Sequence, residues 1–152
     1  CVSQLSESFK EELRELCPDG CDVYFENVGG KVFEAVLPLL NEGSRITVCG
    51  MISQYGNTDG LDPRQTWDAL GESVFSKKNV QVHDLFVGNF VKQYQDEFLS
   101  KMAGYMNSGL ITYKEDRWEG LESAPEAFAA MLTGGNFGKT IVTVSEDLSR
   151  VQ

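Results

Sequence analysis

An α/β fold, a parallel sheet joined by crossover helices, is what this sequence predicts. Three observations predict it. Cys21–Phe25 and Arg45–Cys49 are short runs dominated by apolar and β-branched residues, as expected of strands buried on both faces. A helix-like segment, Lys31–Leu40, lies between them with apolar residues on both of its faces. Each run closes in a glycine-bearing loop, the first at Glu26-Asn27-Val28-Gly29-Gly30 and the second at Gly50.

The elements follow in order. Ser8-x-x-Glu11 has the pattern of a capping box, and Phe9, Leu13 and Leu16 follow at helical spacing until Pro18-Asp19-Gly20. The first strand, the Gly29-Gly30 loop and the Lys31–Leu40 helix come next. Asn41-Glu42-Gly43 stops the helix ahead of the second strand. Residues 51–64 read as a loop, in which Asp62 can cap a helix that has Pro63 in its first turn. That helix carries Trp67, Leu70, Val74 and Phe75. Val80–Val87 reads as a third strand. Phe90–Asn107 is the longest helix, and its stripe of Val91, Tyr94, Phe98, Met102 and Tyr105 predicts a core face. A strand over Ile111–Arg117, a helix opened by Ser123-x-x-Glu126 and a last strand over Lys139–Val144 complete the pattern.

Thirteen Lys and Arg against 23 Asp and Glu give 152 residues a net charge of −10. Such acidity predicts no nucleic-acid partner and no anionic membrane surface. No apolar run approaches the roughly 20 residues of a spanning helix. Cys17 and Cys21 are spaced C-x3-C, but His83 is the sole histidine and no second cysteine pair follows, so no metal site is expected. Four cysteines without a secretory signal predict reduced thiols and a cytoplasmic location. The chain opens on Cys1 and its first methionine is Met51, which predicts a piece of a longer polypeptide.

The motifs for self-contained chemistry are missing. There is no G-x-G-x-x-G and no G-x-S-x-G elbow, and His83 falls within a strand. Gly134-Gly-Asn-Phe-Gly138-Lys139-Thr140 is one residue short of a P-loop and leads from helix into strand, the reverse of a phosphate-binding turn. What remains is the pair of strand ends at Glu26–Gly30 and Cys49–Ser53. Ligands of open parallel sheets bind outside the carboxyl ends of the strands. Asn27 offers an amide there, and glycine allows close approach. Simple tight turns are the alternative reading.

Phe25-Glu-Asn-Val-Gly-Gly30, Gly43-Ser-Arg-Ile-Thr-Val-Cys-Gly-Met-Ile-Ser-Gln-Tyr55, Gly109-Leu-Ile-Thr-Tyr-Lys114 and Asn136-Phe-Gly-Lys139 resemble the zinc-independent medium-chain dehydrogenase/reductases. The branch they resemble most is that of the prostaglandin, alkenal and curcumin reductases. The resemblance runs from about residue 8 to residue 144 and covers the C-terminal part of the family's chain. It implies that residues 1–108 are the second half of a Rossmann doubly wound parallel sheet. Residues 109–152 would be the C-terminal segment that returns to a GroES-like catalytic lobe. It further implies NADP as cofactor, met by Asn27, by Cys49, Gly50, Met51, Ile52, Ser53 and Tyr55, by Leu85, Phe86 and Val87, and by Asn136. Glu26 stands where the family more often has Asp.

The implied reaction is hydride transfer to the β-carbon of an enone or enal. Tyr55 or a cofactor ribose hydroxyl would be the donor at the carbonyl oxygen. Two other readings are a quinone reductase of the same superfamily and a non-catalytic half-Rossmann assembly module. The isolated chain is expected to bind NADPH weakly and not to turn over. Its unpaired strand edge predicts a homodimer or higher oligomer.

Overall fold

The computed structural model describes residues 1–56 and 60–145; Asn57–Asp59 of the predicted loop lie outside them. The chain divides into two units, Cys1–Phe90 and Val91–Gln152.

The first unit contains α1 (Phe9–Leu16), β1 (Cys21–Glu26), α2 (Gly30–Val36), β2 (Leu40–Val48), α3 (Pro63–Lys78) and β3 (Gln81–Asp84). The strands form one sheet in the order β1-β2-β3, and both pairs are parallel. Glu26 pairs with Val48 and Val48 with Asp84, so the three strands end at a common rim. The α/β class with a parallel sheet is as the sequence predicts.

One face of the sheet holds the core. Phe33 is fully buried and stacks on Trp67 at 4.3 Å between ring centroids, with Phe75 at 6.2 Å and Tyr24 at 6.5 Å. Val36, Leu37, Leu40, Ile46, Val48 and Met51 complete the cluster. The Tyr24 phenol is pushed far above its usual pKa, first by burial and then by the nearby Glu26 charge. Asp62 caps α3 as expected, accepting from the N–H groups of Arg64 at 2.7 Å and Gln65 at 3.3 Å.

The opposite face is bare. Val23 is 59% exposed and Phe25 53%, and the register sets Arg45, Thr47, Gln81 and His83 on their side. The strands of the sequence pattern are apolar on both faces, yet only one face is covered within this unit.

Several boundaries differ from the sequence reading, each for a local reason. Ser8 does not form a capping box. Its hydroxyl donates to Glu12 Oε1 at 2.5 Å, and its backbone is not extended as a cap requires. The Lys31–Leu40 helix stops at Val36. Pro38, which lacks an N–H, sits in a 3-10 turn over Leu37–Leu39, and Leu40 already pairs with Cys21 in β2. The third strand is shorter than Val80–Val87. Val80 N–H is held by Phe75 O past a left-handed Asn79, and Leu85 N–H to Val48 O at 2.8 Å is the last bond at the far end.

α4 (Gly88–Asn107) buries none of its residues. Along its predicted core stripe Val91, Tyr94, Phe98 and Tyr105 are exposed and Met102 is half-buried. The second unit also holds β4 (Glu115–Glu119), α5 (Ala124–Leu132) and β5 (Lys139–Thr143), with β4 and β5 paired in parallel. β4 begins later than Ile111 because the N–H groups of Leu110 and Ile111 both return to Tyr105 O, closing α4. Ser123 makes no cap; its hydroxyl donates to Gly120 O at 2.8 Å.

Candidate functional site

The two glycine-bearing corners lie side by side at the carboxyl rim of the sheet. Past the paired ends of β1 and β2, hydrogen bonds continue between the loops. Cys49 N–H and Gly50 N–H donate to Glu26 O at 2.9 and 3.1 Å. Ile52 N–H donates to Asn27 O and Ser53 N–H to Val28 O, both at 3.0 Å. The Ser53 hydroxyl adds a second donor to Val28 O at 2.5 Å. Parallel strands leave their last residues facing the same way, so the ladder extends into the loops without a reversal.

Asn27 is exposed at the tip of the first corner. In the second corner Cys49, Ile52, Ser53 and Tyr55 are exposed, whereas the Met51 side chain is in the core and only its backbone faces the rim. The Tyr55 hydroxyl accepts the Met51 N–H at 3.4 Å, which leaves its own proton free to donate. A Cβ placed on Gly50 would lie 3.0 Å from that hydroxyl and 3.7 Å from Asn27 Oδ1. Tyr55 and the Asn27 amide therefore flank one spot, which stays open because residue 50 has no side chain.

Leu85 joins the rim through Val48 O, and Phe86 and Val87 follow with exposed side chains. Arg64 of α3 ties down the residue just before them. It pairs with Asp84 while binding Asp68 at 2.9 and 3.0 Å. Asn136 belongs to the second unit, where its Nδ2 donates to Gly138 O at 2.8 Å. The rim of the first unit thus brings together every predicted cofactor contact except Asn136.

Two residues of this rim escaped the sequence reading. Glu26 is fully buried: Oε1 accepts from Val28 N–H at 2.7 Å and Gly29 N–H at 2.8 Å, and Oε2 accepts from Trp67 Nε1 at 3.0 Å. The available signal was a carboxylate ending a core-facing strand, which demands nearby donors, and a tryptophan N–H on the next buried helix, which demands an acceptor.

The rim has the chemistry of a site for a flat, polar-edged ring. The rim carries exposed apolar side chains (Ile52, Phe86, Val87) as well as an amide and a phenol, and Gly50 keeps the approach between Asn27 and Tyr55 open. Cys17 and Cys21 lie at the other end of β1, and burial, then the Cys17 neighbour, raises the Cys21 thiol pKa. Among the described residues no group of three or more His, Cys, Asp or Glu could hold a metal ion. None of their helices is long and apolar enough to cross a membrane.

The chain is similar to known proteins over nearly its whole length. The profile of a family described as zinc-binding dehydrogenase matches residues 2–142. The NADPH-dependent curcumin reductase of Escherichia coli (strain K12) is 39% identical over 147 residues, 97% of this chain and 42% of the relative. The NADP(+)-dependent 2-alkenal reductase of Nicotiana tabacum is 36% identical over 146 residues, 92% of this chain and 40% of the relative. The crystal structure of CurA in complex with NADPH from Vibrio vulnificus superposes with a TM-score of 0.80 at 38% identity, covering 97% of this chain and 43% of that one. The chain spans about two-fifths of the length of the relatives it matches.

Proposed function

The chain belongs to the zinc-binding dehydrogenase family, and on that premise we propose that it is the C-terminal portion of an NADP-dependent oxidoreductase that reduces the C=C bond of α,β-unsaturated ketones and aldehydes. The observation that carries this reading is the hydrogen-bonded alignment of the Asn27 and Cys49–Tyr55 corners at one rim of a parallel sheet. The similarity to a curcumin reductase, an alkenal reductase and an NADPH-bound structure supports it.

When bound, NADPH supplies the hydride. The protein's part is placement. Asn27 and the backbone of Cys49–Ser53 would hold the nicotinamide through hydrogen bonds, and Ile52, Phe86 and Val87 would keep water from it. As the β-carbon of the substrate accepts hydride, negative charge grows on the carbonyl oxygen. Tyr55 donates a hydrogen bond there and lowers the barrier. The α-carbon then takes its proton from water. No step uses a resident metal.

The test uses the natural full-length polypeptide that carries this segment. NADPH oxidation is followed with enones and with quinones. Alkylation of Cys49 is followed with and without NADPH, with Cys1 and Cys17 as internal references. Enone-dependent oxidation is expected. So is about tenfold slower Cys49 alkylation at NADPH near ten times its Kd. Unchanged Cys49 reactivity at saturating NADPH refutes the site, and turnover of quinones alone refutes the substrate class.

The 152-residue chain by itself is proposed to be inactive and to associate with a second copy. β1 and β3 are sheet edges, and Val23 and Phe25 offer apolar area beside the β1 edge. A strictly monomeric sedimentation profile at high concentration contradicts that. Its location is proposed to be cytoplasmic, in keeping with four free cysteines.

A further inference from the structure

Both glycine-bearing corners of the rim converge on Glu26. Its main-chain carbonyl holds Cys49 and Gly50, the start of the second corner. Its Oε1 holds Val28 and Gly29, the end of the first corner, and its Oε2 holds Trp67 on α3. Asn27 sits between two residues fixed in this way. All of these partners are N–H donors, and no described cation forms an ion pair with the carboxylate. A side chain with two acceptor oxygens is what this set of donors requires.

The corner needs such a group. Gly29 is buried with φ at +72°, and a Cβ there would lie 3.3 Å from Met51 Cβ. The chain turns too tightly at this point for the Val28 and Gly29 N–H groups to enter the sheet ladder, and Oε1 takes both. Trp67 fixes the other oxygen. Its ring is 2% exposed and locked on Phe33, so its N–H has one direction to point.

We infer that Glu26 is the positioning residue of this rim: its carboxylate locks the Asn27 corner against the Cys49–Gly50 corner, and Trp67 sets the orientation of that carboxylate. The inference rests on the proposed function for what the rim binds, but the packing stands by itself.

The test takes Glu26→Gln, Glu26→Asp, Trp67→Phe and the Glu26→Asp/Trp67→Phe pair in the full-length polypeptide. A glutamine must aim its NH2 at a donor on one side. The expected result is about a tenfold rise in KM for NADPH with kcat within about threefold. Aspartate keeps the charge near Val28 and Gly29 but is too short for Trp67, so it restores most of the KM. Trp67→Phe alone raises KM about threefold and adds almost nothing in the Glu26→Asp background. Hydrogen exchange gives a readout without activity: the Val28 and Gly29 amides exchange about tenfold faster in Glu26→Gln. If Glu26→Gln does not fold, Trp67→Phe and the pair carry the test. The inference is overturned by an unchanged KM and unchanged amide exchange in Glu26→Gln, by kcat and KM changing only in step with lost thermal stability, or by full additivity of Glu26→Asp and Trp67→Phe. If the wild-type polypeptide oxidises no NADPH, the proposed function has failed, and the amide exchange alone decides the inference.

Discussion

Replacing Tyr55 by phenylalanine should separate catalysis from stability: the structure sets the stability cost, and the proposed role of the hydroxyl sets the catalytic one. The ring is 65% exposed, and among the described residues its hydroxyl makes one hydrogen bond, the long 3.4 Å contact from Met51 N–H. Losing that bond in partly solvated surroundings costs below about 1 kcal/mol. In its proposed role as donor to the growing oxyanion, the same hydroxyl is worth far more in the transition state. Removal of a single such donor lowers kcat by about 10²–10³-fold. A cofactor ribose hydroxyl sharing the oxyanion reduces that loss, so about 10²-fold is the expected value for Tyr55→Phe. KM for NADPH should stay within about twofold, because the variant removes an interaction made only in the transition state. The assay is enone-dependent NADPH oxidation by the full-length polypeptide, paired with urea unfolding. A kcat within threefold of wild type refutes Tyr55 as the donor. An equal loss of kcat and stability refutes the view that the hydroxyl acts in the chemistry and not in the fold.

Two further predictions concern stability. Phe33→Ala removes the fully buried ring at the centre of the aromatic stack and should cost about 3–5 kcal/mol, read as a fall in the urea midpoint; a loss below about 1 kcal/mol would show that the stack is not the core. Glu12 accepts from Ser8 Oγ and then Ser6 Oγ, which holds its pKa below the usual value. Its folded pKa therefore lies under its unfolded one, so the contribution is complete above the unfolded pKa and lost as pH falls through the folded value. Ser8→Ala should raise the Glu12 pKa in an NMR titration of its carboxyl carbon, and an unchanged titration curve disproves the contact.

The rim was legible in the sequence because its signals are local. Two runs of strand-forming residues, each closed by glycine with a helix between, allow few arrangements other than neighbouring parallel strands. The register then brings Asn27 and Cys49 together. Helix and strand ends were less legible where competing partners decide them. Ser8 has the right neighbour for a capping box, but its hydroxyl finds Glu12. Pro38 lies in an apolar run that reads as helix, and the pairing of Leu40 with Cys21 turns the chain into β2.

The sequence by itself determined the α/β class, the order of its elements and which corners face the rim, because period and turn chemistry act between residues a few positions apart. Only the tertiary structure decided what fills those corners. Glu26 reads as an acidic loop residue until Trp67, 41 positions away, is seen to hold it. Phe98 reads as core, yet its side chain is 58% exposed within this chain. Burial and hydrogen-bond reach are set by what lies opposite in space, and spacing along the chain does not encode that.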